Sequence, residues 1–320
     1  MNVTAANRDP LDVAITKNVI TVILSLTIIY INSTLVHTFR KHQVFTMNPR
    51  YILYIHLVIN DIIMLALFVI LQVLGYILFT LNVSLCIVLL MIAIISSLNN
   101  PLTLAAMAVE CYLAICFPLH HPRICTVKKT YIVIALIWML SSLTIVPDLF
   151  VVLAIKPTAF FNSWLFCMWA SIFANPHLDK KRDVSNILFL VSVWVVLFYT
   201  YFRILFTAQA ASANAKKARN TVLLHGFQLM LCMLNYVSNL MIKGLTTLFP
   251  KDGLNILYIA SVLIQILPRL ISPTVYGLRD KLFREYLKRS LFHASNIHPE
   301  KRGNRQLKRS CLIKQFKTQG

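Results

Sequence analysis

Three observations predict an all-α membrane protein, a bundle of seven transmembrane helices followed by a short amphipathic helix on the inner leaflet. The chain of 320 residues is 58% hydrophobic and only 13% charged, where a soluble globular chain carries roughly 25% charged residues. No charged residue lies between Asp61 and Glu110, a run that fits two crossings at about 20 apolar residues each. Runs of that kind recur seven times along the chain. The net charge of +20 would otherwise suggest a nucleic-acid-binding tail, but the composition is far too apolar for disorder.

The charge-free or nearly charge-free runs fall at about 18–39, 51–78, 85–109, 130–153, 184–206, 220–242 and 254–278. The second and third are separated where the sequence is most polar, at Thr80-Leu81-Asn82-Val83-Ser84. An odd number of crossings puts the termini on opposite faces. The loops after the first, third and fifth helices, with the tail from Arg279 onward, hold 22 of the 31 Lys and Arg residues; the other side holds 8, and Arg269 lies within a helix. The positive-inside rule then predicts a multi-pass plasma-membrane protein with its N-terminus outside and its tail in the cytoplasm. The exception is Lys180-Lys181-Arg182, a basic run in the outer loop 156–183. The predicted organisation is an extracellular segment 1–17, a membrane domain 18–278, a juxtamembrane helix 279–290 and a basic cytoplasmic tail 291–320.

Residues 1–17 are polar, so the first helix is expected to direct its own insertion. Asn2-Val3-Thr4 is a glycosylation sequon in that outer segment. Asn32-Ser33-Thr34 falls inside a helix and Asn82-Val83-Ser84 too near the bilayer. The seven cysteines show no metal or redox spacing. Cys86 opens the third helix on the outer side and Cys167 is the only cysteine of the long outer loop, so an oxidising exterior makes them partners. Cys111, Cys116, Cys125, Cys232 and Cys311 are expected to stay thiols.

A charge in the bilayer core costs about 2.5–3.5 kcal/mol or more unless it faces the bundle interior and finds a partner. Asp61 follows Arg50 by 11 residues and Arg269 precedes Arg279 by 10, which places both about 15 Å from the cytoplasmic side. Asn32 and Asn100 reach a similar depth on other helices, and Ser272 follows Arg269 by one turn. This predicts a buried polar cluster of Asn32, Asp61, Asn100, Arg269 and Ser272 around an Asp61–Arg269 ion pair. The alternative is that each separately bonds a nearby backbone carbonyl. Pro101, Pro147, Pro268 and Pro273 interrupt helices and bend them.

Longer strings carry a resemblance to a known family. Met107-Ala108-Val109-Glu110-Cys111-Tyr112-Leu113-Ala114-Ile115-Cys116-Phe117-Pro118-Leu119 ends the third helix, and Ser272-Pro273-Thr274-Val275-Tyr276-Gly277-Leu278-Arg279 closes the seventh. With Met47-Asn48-Pro49-Arg50-Tyr51, His56-Leu57-Val58-Ile59-Asn60-Asp61 and Lys216-Lys217-Ala218-Arg219-Asn220-Thr221, the chain resembles a rhodopsin-like G-protein-coupled receptor of the fish-type odorant branch over about residues 18–290. The resemblance implies that a small odorant binds in the outer half of the bundle. It also implies activation of a heterotrimeric G protein of the stimulatory, olfactory kind, which raises cAMP. A multi-spanning transporter, or a heptahelical receptor that couples weakly, is the alternative reading.

Carried over by position, Asn32, Asp61, Asn100, Ser272, Pro273 and Tyr276 match the family's polar core and switch, which in many relatives holds sodium. Arg269 departs from the usual small polar residue. A guanidinium beside Asp61 supplies the positive charge internally, so sodium sensitivity is expected to be weak or absent. A second departure is larger: where the family has an acid, an arginine and a tyrosine, this chain has Glu110, Cys111 and Tyr112. Glu110 therefore needs another cation, and Lys216, Lys217 and Arg219 of the sixth helix or Arg123 of the nearby loop are the candidates. The alternative is a Glu110 solvated at the membrane interface.

The outer halves of the second and third helices lack the carboxylate of amine receptors, and no lysine lies between Leu254 and Leu278 to carry retinal. Helical spacing puts Tyr258, Ser261, Val262 and Gln265 on one face. The family's pocket adds Ala93, Ile94, Ser97 and Leu98 from helix three and Tyr236 and Leu240 from helix six. Such a pocket is apolar with a few hydrogen-bonding handles. After Arg279, Leu282, Phe283, Tyr286 and Leu287 share a side among basic residues, the pattern of a helix lying on membrane lipid. A transporter would show paired repeats and Gly/Pro-broken helices, whereas this chain has seven glycines and no visible repeat. No catalytic constellation marks an enzyme, and no cofactor motif is present.

Overall fold

The computed structural model describes residues 11–78, 80–173, 175–209 and 253–270, with positions 227, 245, 248, 249, 285 and 286. Asn2, Tyr236, Leu240, Ser272, Pro273, Tyr276, Lys216, Lys217 and Arg219, with most of the sixth helix and of the juxtamembrane helix, lie outside the described residues. Within them are the long helices α1 (Leu11–Lys41), α3 (Pro49–Ile77), α4 (Val83–Cys116), α6 (Val127–Ile155) and α9 (Pro176–Gln209). The one-turn helices α2 (Gln43–Thr46), α5 (His121–Ile124), α7 (Thr158–Phe161) and α8 (Trp169–Ile172) sit in the connections. The start of the seventh crossing is α10 (Gly253–Ser261), which runs on into a π-helical turn, Val262–Ile266. All five long helices are long and apolar enough to cross a membrane.

Local chemistry sets where these helices begin. The Asn48 side chain accepts from the Arg50 amide at 3.1 Å and Pro49 follows at the first helical position, so α3 starts with a cap and a pre-set φ. Asn82 caps α4 by accepting from Ser84 N, and Thr126 caps α6 by accepting from Lys129 N. The helices outrun their apolar stretches. At 34 residues, α4 is about 51 Å long against a hydrocarbon core of about 30 Å. The loop expected at 156–183 is helical from Pro176 onward, because Asn175 accepts from His177 N and starts α9 early. The turn expected at 80–84 is shorter than its polarity suggests, since α4 begins at Val83.

At the Cys86 end, the strand Leu81–Asn82 (β1) pairs antiparallel with Trp164–Leu165 (β2), Leu81 opposite Leu165. The Cys86–Cys167 disulfide, Cα atoms 5.7 Å apart, ties the same loop to α4. Ile172 and Phe173 of that loop are 1% exposed and join Val83, Ile87 and Leu98 of α4 and Ile145 and Val152 of α6 in one apolar cluster. The loop thus covers the end of the bundle. At the other end, Phe45 of α2 is fully buried and its ring meets Tyr51 and Tyr286, which docks the chain after the seventh helix onto the first connection. Cys111, Cys116 and Cys125 are not disulfide-bonded.

Because the disulfide is a single covalent tether, Cys86→Ser and Cys167→Ser are expected to reduce surface display equally, by about 2–4 kcal/mol of stability. Flow cytometry of the double variant should then show no further loss; an added loss would mean the two cysteines act separately.

Candidate functional site

The mid-membrane centre is built on Asp61 of α3, which is 3% exposed. Asn100 of α4 donates to its Oδ1 at 3.0 Å, and the Nε of Arg269, 6% exposed, lies 3.9 Å from the same oxygen. Arg269 also donates from a terminal nitrogen to the carbonyl of Gln265, one turn back. Three helices therefore share one neutralised centre. Asn32 is fully buried on α1, but its amide has no hydrogen-bond partner, so this member of the expected cluster is present without bonding to it. Hydrogen bonding depends on rotation about the helix axis, which the depth of a residue does not set.

The second centre corrects an expectation. Glu110 is buried rather than solvated, with 8% of its side chain exposed, and its carboxylate is bonded by Arg50 Nε at 3.2 Å and His121 Nε2 at 3.1 Å. Its partners are thus the start of α3 and the connection between α4 and α6, not Arg123, and neither is on the sixth helix as Lys217 or Arg219 would be. The Asn48–Pro49 cap fixes the start of α3 and with it Arg50. Cys111 is 1% exposed and packs with Ile204 of α9, while the Tyr112 ring meets Phe117 and Tyr199 edge-on. Burial and the nearby Glu110 push the Cys125 thiol up, against the opposing pull of Lys129, which keeps it protonated.

Two further groupings escaped the sequence. Trp138 Nε1 donates to His56 Nε2 at 2.9 Å, and His56 Nδ1 lies 3.1 Å from Thr103 Oγ1. An indole N–H only donates, so His56 Nε2 accepts and the proton sits on Nδ1, facing Thr103, which in turn donates to Asn99 O at 2.7 Å. This relay joins α6, α3 and α4. In the half of α6 toward the Cys86 end, Asp148 is 2% exposed and pairs with Lys181 of α9, which also donates to the carbonyl of Thr144. Arg182 pairs with Asp179 and Asp183 and lies over the Trp169 ring. The basic run that strained the orientation rule is thus largely neutralised in place. The signal for Asp148 was available: it is an acid inside an apolar run, the criterion that singled out Asp61.

The expected ligand residues divide. On α4, Ala93 and Ser97 are half-buried, while Ile94 and Leu98 pack into the apolar cluster under the disulfide-tied loop. On the seventh helix, the Tyr258 hydroxyl donates to Lys17 O at 3.3 Å and its ring lies under the Lys17 ammonium, which bonds Asn255 Oδ1 at 2.7 Å. Val262 packs with Ile28 and Leu65 of α1 and α3. Tyr258 and Val262 share a face, as spacing predicts, and that face meets α1. The π turn from Val262 to Ile266 changes the residue spacing, so α-helical periodicity does not carry Gln265 along with Tyr258 and Ser261.

Residues 15–276 match the family model described as 7 transmembrane receptor (rhodopsin family). Over 270 residues the chain is 33% identical to a protein named Odorant receptor 131-2 from Danio rerio, covering 82% of this chain and 81% of that one.

Removing one partner of a buried pair leaves an uncompensated charge, at a cost of about 3–5 kcal/mol. Asp61→Arg and Arg269→Asp alone should each abolish most surface expression, and the double exchange should recover it. Absence of rescue would show that the two charges do not pair.

Proposed function

This chain belongs to the rhodopsin family of seven-transmembrane receptors, and from that premise we propose that it is a plasma-membrane sensor of small odorants that activates a stimulatory, olfactory G protein. As a member of a receptor family, it is not an enzyme. The observation that carries the odorant reading is the match along four-fifths of a protein named an odorant receptor. In this reading the N-terminus is outside, the Cys86 end receives the ligand and the Glu110 end meets the G protein. Orientation is supported by the 22 basic residues on one side and by the neutralisation of Lys181 and Arg182 on the other.

Half-buried Ala93 and Ser97 form one wall of the ligand site. The disulfide-tied loop closes the site from above. Among the described residues at that end, the buried carboxylate of Asp148 is already held by Lys181. Neutral, largely apolar molecules fit this chemistry better than amines. A panel of odorants applied to cells expressing the chain with an olfactory G protein should raise cAMP for at least one compound. Silence across the panel, at normal surface levels, would defeat the reading.

Cys111 is buried against Ile204 and cannot extend a charge toward a G protein as an arginine does. Glu110 instead holds the start of α3 to the second inner connection through Arg50 and His121. Arg50 is 44% exposed, so screening limits its pair to about 1 kcal/mol or less. Glu110→Gln is expected to raise basal cAMP by up to about fivefold, the factor that such an energy allows. An unchanged basal level in a well-expressed variant would exclude this lock.

A further inference from the structure

One helical turn beyond the His56, Thr103 and Trp138 relay, toward the Cys86 end, each of the same three helices buries another polar side chain. These are Asn60 on α3, four residues after His56; Asn99 on α4, four before Thr103; and Ser141 on α6, three after Trp138. Ser96 lies about one more turn along α4. Their exposures are 1% for Asn60 and 0% for Asn99, Ser141 and Ser96. The relay holds the three helices side by side at one level, so equal rise per residue brings the next turn of each to a common level as well.

Six polar atoms are at stake: Nδ2 and Oδ1 of Asn60, the same two of Asn99, and the hydroxyls of Ser96 and Ser141. None has a hydrogen-bond partner. Hydrocarbon offers none, and polar groups at membrane depth must be satisfied inside the protein. Hydroxyls within helices usually bond back to the carbonyl four residues earlier, as Thr130, Thr144 and Thr200 do here. Ser96 and Ser141 do not, which leaves both hydroxyls open to another partner.

We propose that the junction of α3, α4 and α6 is a water-binding site, in which one or two buried waters bridge Asn60, Asn99 and Ser141. The set contains donors as well as acceptors and no charge, which suits a water making about three hydrogen bonds and does not suit a metal cation that takes oxygen ligands alone. The site backs directly onto the Asp61 centre, because Asn60 and Asn99 precede Asp61 and Asn100 in sequence. A polar layer then crosses the bundle from Arg269 through α3 and α4 to α6.

The sign of one conservative substitution tests this. Ser141→Ala removes a hydroxyl and little volume. If that hydroxyl binds water, the apparent Tm of the purified receptor falls by about 2–4 °C relative to Ser142→Ala, which carries the same gain in helix propensity. If the hydroxyl is an orphan, its removal leaves Tm level or raises it, and the proposal is overturned. An experimental density map of the unaltered chain gives a second reading that needs no variant. Discrete water peaks within hydrogen-bond distance of Asn60, Asn99 and Ser141 are expected. Direct pairing of the two amides with no peak between them, or a cation in the site, would overturn it.

Discussion

A carboxylate in the middle of a membrane is the constraint around which the bundle is arranged. Asp61 cannot remain charged in hydrocarbon without compensation, and it obtains that from two other helices, a hydrogen bond from Asn100 on α4 and the guanidinium of Arg269 on the seventh. Helix α3 is thereby fixed in rotation. Its opposite edge presents His56 to Thr103 and Trp138, and its beginning presents Arg50 to Glu110. One helix thus connects the mid-membrane centre to the face proposed to meet a G protein.

The same solution is used at three levels. Asp148 near the Cys86 end, Asp61 at mid-depth and Glu110 at the far end are each buried acids among the described residues, and each forms an ion pair with a cation from a different element. Such pairs contribute modestly to net stability because desolvation offsets most of the attraction. They specify which helix faces meet, since any misrotation strands a charge in lipid. The π turn just before Pro268 and Arg269 fits that demand, as an extra residue in the turn changes the angular position of Arg269 relative to α10.

Much of this was legible in the residues. Apolar runs coincide with the five long helices among the described residues because burial in lipid imposes a continuous signal about 20 residues long. Depth from the flanking cations matched Asp61 with Arg269 because rise per residue is constant. Rotation was harder. Glu110 was expected to look toward the sixth helix or Arg123, yet it meets Arg50 and His121, because the angle of each helix about its axis follows from packing that no single segment encodes. Helix ends are less legible for a related reason: caps such as Asn48 and Asn175 are local, whereas apolar runs mark only the part inside lipid. Lys181, counted as a loop charge, is a helical residue that reaches back to Asp148.

The most direct test asks whether the protein's own guanidinium fills the place of a dissolved cation at Asp61. Apparent Tm of the purified receptor, measured in sodium chloride and in choline chloride at equal ionic strength, needs no identified odorant. With Arg269 paired to Asp61, the two values should coincide, and Arg269→Gln should be the variant in which sodium begins to stabilise. Sodium-dependent stabilisation of the unaltered chain that disappears in Asp61→Asn would contradict the account.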